Sequence, residues 1–284
     1  MKYIVIKNFL EPEFCKKLAE EAEHLTSNKD YSLIHGNRSH LSSSSLGYYE
    51  LEQKSSNWKK LTKKIDSQDF FEYCCKHLSI DSEIFSLQNF FKLKELSSKN
   101  KIFKKLSETP TKLMSTKSLI KYSLYRLFRE FYRKFKFSKV FYPKKNPIEL
   151  LYDFSKAGNG YSRGIHRDSD SRVIVFLIYL NSINKNDNST STTGGTLDLY
   201  KLIKEDKNML RPSKDSCEMI DSVKPEAGKI VIFLNENDSY HAVEEIKNLN
   251  GHRNFIYGGY TMLSRKSPYI SNESKSKTEY HLYE

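Results

Sequence analysis

Long apolar runs are missing from this 284-residue chain, and no stretch approaches the length of a membrane span. The opening MKYIVIKNFLEPEF holds only a four-residue apolar stretch before Lys7, too short for the core of a secretion signal. A soluble, cytoplasmic protein with no membrane span is the expectation. Cysteine is scarce as well. Cys15, Cys74, Cys75 and Cys217 form no CxxC pair, and adjacent Cys74 and Cys75 would make a poor zinc clamp. That excludes a legible disulfide framework and leaves reduced thiols as the expectation. Net positive charge is absent from most of the chain despite a total of +12. Between Lys92 and Lys145 there are 17 Lys and Arg against Glu95, Glu108 and Glu130, a local +14, so the remainder is net −2. Basicity is a property of one segment.

What is present is aromatic: 19 Tyr and 17 Phe suit a β-rich interior, and 284 residues can bury a substantial core. Tyr3–Ile6 reads as a strand. Pro12 then fits the first turn of a helix whose Phe14, Leu18 and Ala22 recur at spacing four. Residues 27–47 read as loop with room for one short strand, and helical patterning resumes around Trp58–Leu78. Lys117–Phe137 is an amphipathic pattern with Ile120, Leu124, Phe128, Phe131 and Phe135 on one face. Arg172–Asn181 is almost continuously apolar, as in a strand covered on both faces. Residues 184–193 are a polar loop ending in Gly194-Gly195. Thr196–Leu202, Lys229–Leu234 and Arg253–Met262 follow as strands, and the chain after Ser264 is polar and lysine-rich. Helices come first and strands late, which predicts α+β with an antiparallel sheet or barrel. The division expected is 1–91 as N-terminal support, 92–147 as a basic, partly helical insertion, 148–263 as catalytic core and 264–284 as a flexible tail.

Two short motifs carry chemistry. His166-Arg167-Asp168 sets an imidazole and a carboxylate two residues apart, on one face if the backbone is extended, and His241 follows 73 residues after Asp168. Two imidazoles and one carboxylate can hold Fe(II) while leaving coordination positions open. An HxD pair alone arises readily by chance, as a solvated His beside a turn Asp. Its weight here comes from order: HxD before the apolar strand, and His241 after a turn-fed strand. Arg253 opens the last strand twelve residues after His241. A guanidinium there is either a surface strand end or the partner of a buried anion, for which its planar fork is suited. His24, His35, His40, His77, His252 and His281 lack metal-like spacing. His35 and His40 fall in a loop that could border the site.

The stretches HRDSDSRVIVFLIYLN, GGTLDLY, PEAGKIVIF, SYHAVEEI and RNFIYGGY, within Tyr152–Met262, resemble the catalytic domain of Fe(II)/2-oxoglutarate-dependent dioxygenases of the prolyl 4-hydroxylase-like group. IKNFLEPEFCKKLAEEAE is similar to the helix that opens this group. The resemblance implies a double-stranded β-helix (jelly-roll, cupin-like) core. It implies iron ligands His166, Asp168 and His241, and a 2-oxoglutarate site made by Arg253, Tyr179 and Tyr152. No catalytic residue beyond the metal site is implied, and Arg172 is assigned to closing a turn rather than to facing substrate. Fe(II), 2-oxoglutarate, O₂ and ascorbate are the implied cofactors and co-substrates. Hydroxylation of a protein or peptide side chain, proline first, with 2-oxoglutarate decarboxylated to succinate, is the implied reaction. The alternatives are an oxygenase of a small metabolite, lipid or nucleotide, and a non-catalytic binding module on the same barrel. Demethylases of alkylated bases usually carry a second Arg six residues after the first, where this chain has Gly259. The basic segment 92–145 is either a polyanion platform, a membrane-surface helix, or a packed helix with solvated lysines, the last being the ordinary case.

Overall fold

A computed structural model describes residues 1–27, 30–34, 37–88, 127, 131, 135–138, 140–182, 192–206, 209–263 and 266–271. Among them the chain begins with strand β1 (Tyr3–Ile6) and helix α1 (Pro12–Leu25). Pro12 stands at the start of α1, and Leu18 and Ala22 are buried, as the spacing predicts. The segment 27–47 holds two strands rather than one, β2 (Ser32–Ile34) and β3 (Arg38–Ser42), paired as a hairpin. Helices α2 (Leu46–Lys54), α3 (Ser56–Ile65) and α4 (Gln68–Leu78) follow. Each is capped by a serine hydroxyl accepting from a first-turn N–H: Ser45, Ser55 and Ser67. Strand β4 (Phe85–Gln88) comes next, then β5 (Asn146–Ala157), β6 (Arg163–His166), β7 (Arg172–Tyr179), β8 (Leu197–Leu202), β9 (Cys217–Val223), β10 (Ile230–Leu234), β11 (Tyr240–Val243) and β12 (Arg253–Met262).

Two sheets result. The larger runs β1-β10-β7-β12-β5-β3-β2, with β4 added beside β5, and the smaller runs β6-β11-β8-β9. Apart from the parallel β4–β5 pair, the ladders of both sheets are antiparallel. The fold is α+β with a jelly-roll core, as expected.

Strand β7 explains how the larger sheet is covered. Ile174, Phe176 and Ile178 join one cluster with Leu18, Trp58, Leu61, Phe70 and Phe71 from the helices. Val175, Leu177 and Tyr179 point the other way, into a second cluster with Leu197, Leu199 and Val243 of the small sheet. Period-two alternation between two apolar layers is why RVIVFLIY reads as unbroken hydrophobicity. Trp58 locks the helical layer: its indole N–H donates to the Leu18 carbonyl at 3.0 Å, and its ring meets Tyr48 and Phe154 edge-on.

Most of Lys117–Phe137, the 184–191 part of the polar loop and the tail after residue 271 lie outside the described residues, as do His35 and His281. Leu127, Phe131, Phe135 and Lys136 are helical where described. Phe131 and Phe135, expected on a packed face, are instead 70% and 61% exposed. No helix among the described residues is long and apolar enough to cross a membrane.

Trp58→Ala removes the side chain that joins three helices to β5. The loss is expected to be about 3–5 kcal/mol of unfolding free energy, read by urea denaturation. A loss under about 1 kcal/mol would show that the helices are not part of the sheet's core.

Candidate metal and co-substrate site

Strands β6 and β11 pair so that His166 stands directly opposite His241, and their rings lie 4.2 Å apart between centroids. The strand ends at His166, so Asp168 is not on it. Asp168 sits in the turn that follows, closed by the Arg172 N–H donating to the Ser169 carbonyl at 2.9 Å. Arg167, between the two motif residues, is buried and paired with Asp170 at 3.0 Å. The Asn235 amide donates to the carbonyls of Ser169 (2.9 Å) and Arg172 (3.0 Å), pinning the turn to the end of β10. Ligand-capable atoms of His166, Asp168 and His241 thus lie within 4.8 Å of one another. Among the described residues this is the one such group of three.

The electrostatics suit a cation. His166 Nδ1 lies 2.8 Å from the Gly164 carbonyl, which can only accept, so the ring donates there and keeps Nε2 as a lone pair. Burial, then the neighbouring His241, pushes the His166 imidazole down to about 3. Burial likewise lowers His241, so both rings are neutral donors of lone pairs at neutral pH. Burial would raise Asp168, but the neighbouring His241, Arg172 and His166 and the Tyr257 hydroxyl outweigh it and hold the carboxyl below its ordinary value. The Tyr257 O–H lies 3.0 Å from both Asp168 oxygens. His241 Nδ1 is buried with no hydrogen-bond partner among the described residues. Two neutral imidazoles and an ionised carboxylate on one face fit a divalent iron and leave its other side open.

Behind this face Arg253 begins β12, fully buried. Its Nη1 donates to the Gly195 carbonyl, whereas Nε and Nη2 have no partner among the described residues. The Gly194-Gly195 pair that offers this carbonyl has φ of 77° and 76°, and a Cβ on Gly194 would stand 1.8 Å from the Glu245 carbonyl oxygen. Burial lowers the Arg253 pKa. The Tyr179 hydroxyl is also buried without a partner among the described residues, and the Arg253 guanidinium lies 5.3 Å from the Tyr179 ring. Burying such donors unpaired is costly. The orphaned guanidinium nitrogens and phenol together fit a carboxylate ligand.

Tyr152 does not join this group, which corrects its expected place. It lies on β5 opposite Gly258 of β12, and its side chain lies in the helical layer against Tyr48. Alternation sends Asp153, Ser155 and Ala157 toward the site face and Tyr152 and Phe154 away from it. Arg172 does close a turn, yet its side chain also reaches the site. Its guanidinium is 5.3 Å from the Tyr257 ring, and a Cβ on Gly259 would lie 2.9 Å from its Nη1. Tyr257 and the buried Tyr161 were not singled out by the sequence. For Tyr257 the usable signal was its spacing of four from Arg253 on an extended strand, which gives both the same face. His40 lies on β3, not in a loop, with Nδ1 3.0 Å from the Ser32 carbonyl. His24 is on α1, His77 packs on Tyr73, and exposed His252 precedes β12; none approaches the triad.

Residues 152–260 match the family described as the 2OG-Fe(II) oxygenase superfamily. No curated protein matches the chain. Among solved structures it is similar to a Pseudomonas putida prolyl-4-hydroxylase at 13% identity, TM-score 0.47, over 92% of each chain. It is similar to a Trichoplax adhaerens prolyl hydroxylase in complex with a hypoxia inducible factor oxygen degradation domain peptide fragment, at 14% identity and TM-score 0.48, over 92% of this chain and 84% of that one. It is also similar to the viral collagen prolyl hydroxylase of Paramecium Bursaria Chlorella virus-1, at 11% identity and TM-score 0.42, over 93% and 97%.

The partly buried His166 and the buried His241 give the metal-free protein a defined acid response. Below the ordinary histidine value of 6.5 the unfolded chain binds a proton that folded His166 refuses until about 3. Stability therefore falls as pH drops through that window, by up to about 1.4 kcal/mol per pH unit for one proton. In urea denaturation with chelator present, His166→Gln is expected to make the decline shallower between those limits. An unchanged slope would show that the ring is solvated.

Proposed function

Taking residues 152–260 as a domain of the 2OG-Fe(II) oxygenase superfamily, and the chain as an oxidoreductase that uses Fe(II), 2-oxoglutarate and O₂, we propose that it hydroxylates a C–H bond on a protein or peptide side chain, proline being the first candidate. In this reading His166, Asp168 and His241 hold the metal, and Arg253 with Tyr179 takes the distal carboxylate of 2-oxoglutarate. The observation that carries it is the pairing of an open three-ligand face with the buried, unpaired Nε and Nη2 of Arg253. The site face also continues across β5 onto β3, where Asp153 and Ser155 of β5 and Arg38 of β3 make a polar shelf. Gly259, in place of a second arginine, argues against the base-demethylase branch.

Bound Fe(II) with 2-oxoglutarate and O₂ would supply the oxidising power for C–H hydroxylation, with succinate and CO₂ as the co-products. The chain's own residues set the conditions. The Gly164 carbonyl fixes which nitrogen His166 presents, and the Tyr257 hydroxyl orients the Asp168 carboxylate. Phe233 packs on His241, with ring centroids 4.9 Å apart, and together with Val175, Leu199 and Val231 walls water from the interior side. Arg253 keeps its charge in this setting and would orient an anion by a forked pair of N–H donors.

Succinate release dependent on 2-oxoglutarate and O₂ is the direct measurement. Replacing His166, Asp168 or His241 by Ala is expected to abolish it and to lower bound iron; full turnover in Asp168→Ala would remove the ligand assignment. Arg253→Gln is expected to raise the KM for 2-oxoglutarate at least about thirty-fold, from the roughly 2–5 kcal/mol lost when one partner of a buried charge pair is truncated. An unchanged KM would place the co-substrate elsewhere.

A further inference from the structure

Ser267-Pro268-Tyr269-Ile270 stands in the stretch whose composition reads as a tail, yet its residue types make a turn. Pro268 presets the second position, and the Ile270 N–H donates to the Ser267 carbonyl at 3.2 Å. Tyr269 packs against the helical-layer cluster, and Ser267 and Ile270 are buried. Polar groups then tie this segment to the site at two places. One tie is to the turn after His166. The Ser267 N–H donates to the Asp170 carbonyl at 2.7 Å, and Lys266 Nζ lies 2.9 Å from Asp170 Oδ2. The other is to the loop that leads into β11. Asn237 Nδ2 donates to the Ser271 hydroxyl at 2.8 Å, and the Ser271 N–H donates to Asn237 Oδ1 at 3.3 Å. Asp170 is two residues from Asp168, and Asn237 is four from His241. Residues 266–271 therefore strap together the two loops that deliver the carboxylate and the second imidazole.

The Asp170 end carries the larger consequence. Arg167 stands between His166 and Asp168, with its side chain 1% exposed. Its Nη2 donates to Asp170 Oδ1 at 3.0 Å, and its Nε and Nη1 have no hydrogen-bond partner among the described residues. Asp170 is thus the carboxylate that keeps this charge inside. A buried guanidinium stripped of its counter-charge is driven toward water. A rotation that took Arg167 outward would carry the flanking His166 and Asp168 with it. Resting on the ligand assignment proposed above, we infer that Asp170 is a positioning residue for the metal. The strap 266–271, holding Asp170 at one end and Asn237 at the other, sets the spacing between Asp168 and His241. Metal loading and strap docking then favour each other, because both select one arrangement of the two loops.

The test uses the full chain and Mn(II), an air-stable stand-in for Fe(II) whose free-ion electron paramagnetic resonance signal is lost on binding. Asp170→Asn is expected to weaken Mn(II) binding by about 10–100-fold, the range for groups that orient a ligand. Adding Arg167→Met to Asp170→Asn removes the stranded charge and is expected to recover most of that loss. Ser267→Pro removes the N–H given to the Asp170 carbonyl and is expected to cost at least about threefold. In the wild-type chain, hydrogen exchange at the Ser267 amide is expected to slow when Mn(II) is added. Unchanged affinity in Asp170→Asn, even with a lower melting midpoint, would make the Arg167–Asp170 pair a matter of stability alone and overturn the inference. So would a double variant no better than Asp170→Asn, or wild-type affinity in Ser267→Pro. Exchange at Ser267 that ignores Mn(II) would do the same, and this wild-type measurement stands even if a variant fails to fold. Asp168→Ala separates the inference from the assignment beneath it. Retained Mn(II) binding there removes the ligand set, whereas lost binding beside an unaffected Asp170→Asn sinks the positioning role alone.

Discussion

The register between β6 and β11 is the constraint on which the rest of the site depends. It places His166 across from His241, and the side-chain period of two leaves no tolerance. A slip of one residue would send one imidazole to the opposite face and leave Asp168 beside a lone histidine. What holds the register is mostly not polar. Tyr240 and Ala242 flank His241 on its other face in a small cluster with Tyr200, and β11 is fixed from its far side by four consecutive pairings with β8. The turn after His166 is held separately, by Asn235 and by the Arg167–Asp170 pair. Two independent anchors converge on one point, which is how a site assembled from distant segments acquires the precision coordination demands.

Strand β12 supplies the second half of that precision. It is paired on both sides, with β5 and β7, so its alternation is imposed from two directions. One face joins the helical layer. There Gly258 gives up its side chain because a Cβ would stand 2.4 Å from Phe176 and 2.6 Å from Tyr152. The other face carries Arg253, Phe255 and Tyr257 into the site. The adjacent glycines therefore serve opposite faces for different reasons: Gly258 lets aromatic rings close over the sheet, and Gly259 leaves a channel for Arg172. In a strand, glycine is usually a loss of packing. Here each absent side chain is replaced by a larger one from a neighbouring strand.

Much of this was legible in the residues because each feature had a local signature. The unbroken apolarity of β7 announced a strand covered on both faces, and the order of HxD and His241 pointed to three side chains that the structure gathers within 4.8 Å of one another. Tyr152 misled because the resemblance is carried by sequence order, whereas facing is decided by the parity of β5, which nothing short of its pairing with β12 fixes. Arg172 was misjudged for a related reason: its backbone does close a turn, but its side chain depends on space left by Gly259, some 87 residues later. The second strand of the β2–β3 hairpin was missed because Arg38–Ser42 is polar on the site face and only Leu41 is fully buried. Non-local packing, rather than weak propensity, hid these features.

The match to residues 152–260 takes in the triad and Arg253 but not the N-terminal third of the chain, and the structure argues that this third is not an appendage. Strand β1 pairs with β10 along four residues, and Gly228, which turns the chain into β10 at φ 81°, accepts the Leu10 N–H at 3.2 Å. A Cβ on Gly228 would lie 2.1 Å from the Leu10 carbonyl oxygen, so the turn and the N-terminal segment are fitted to each other. Helices α1, α3 and α4 form the far wall of the layer into which β7, β10 and β12 bury half their side chains. Strand β3 sets Arg38 over the rings of β12. An isolated 152–260 segment would expose that apolar layer to water, at roughly 25 cal/mol for each Å² uncovered. It would also lack the cation nearest the shelf. Folding of the strands that carry His166 and His241 and definition of the surface around them are therefore one problem, solved by the same N-terminal residues.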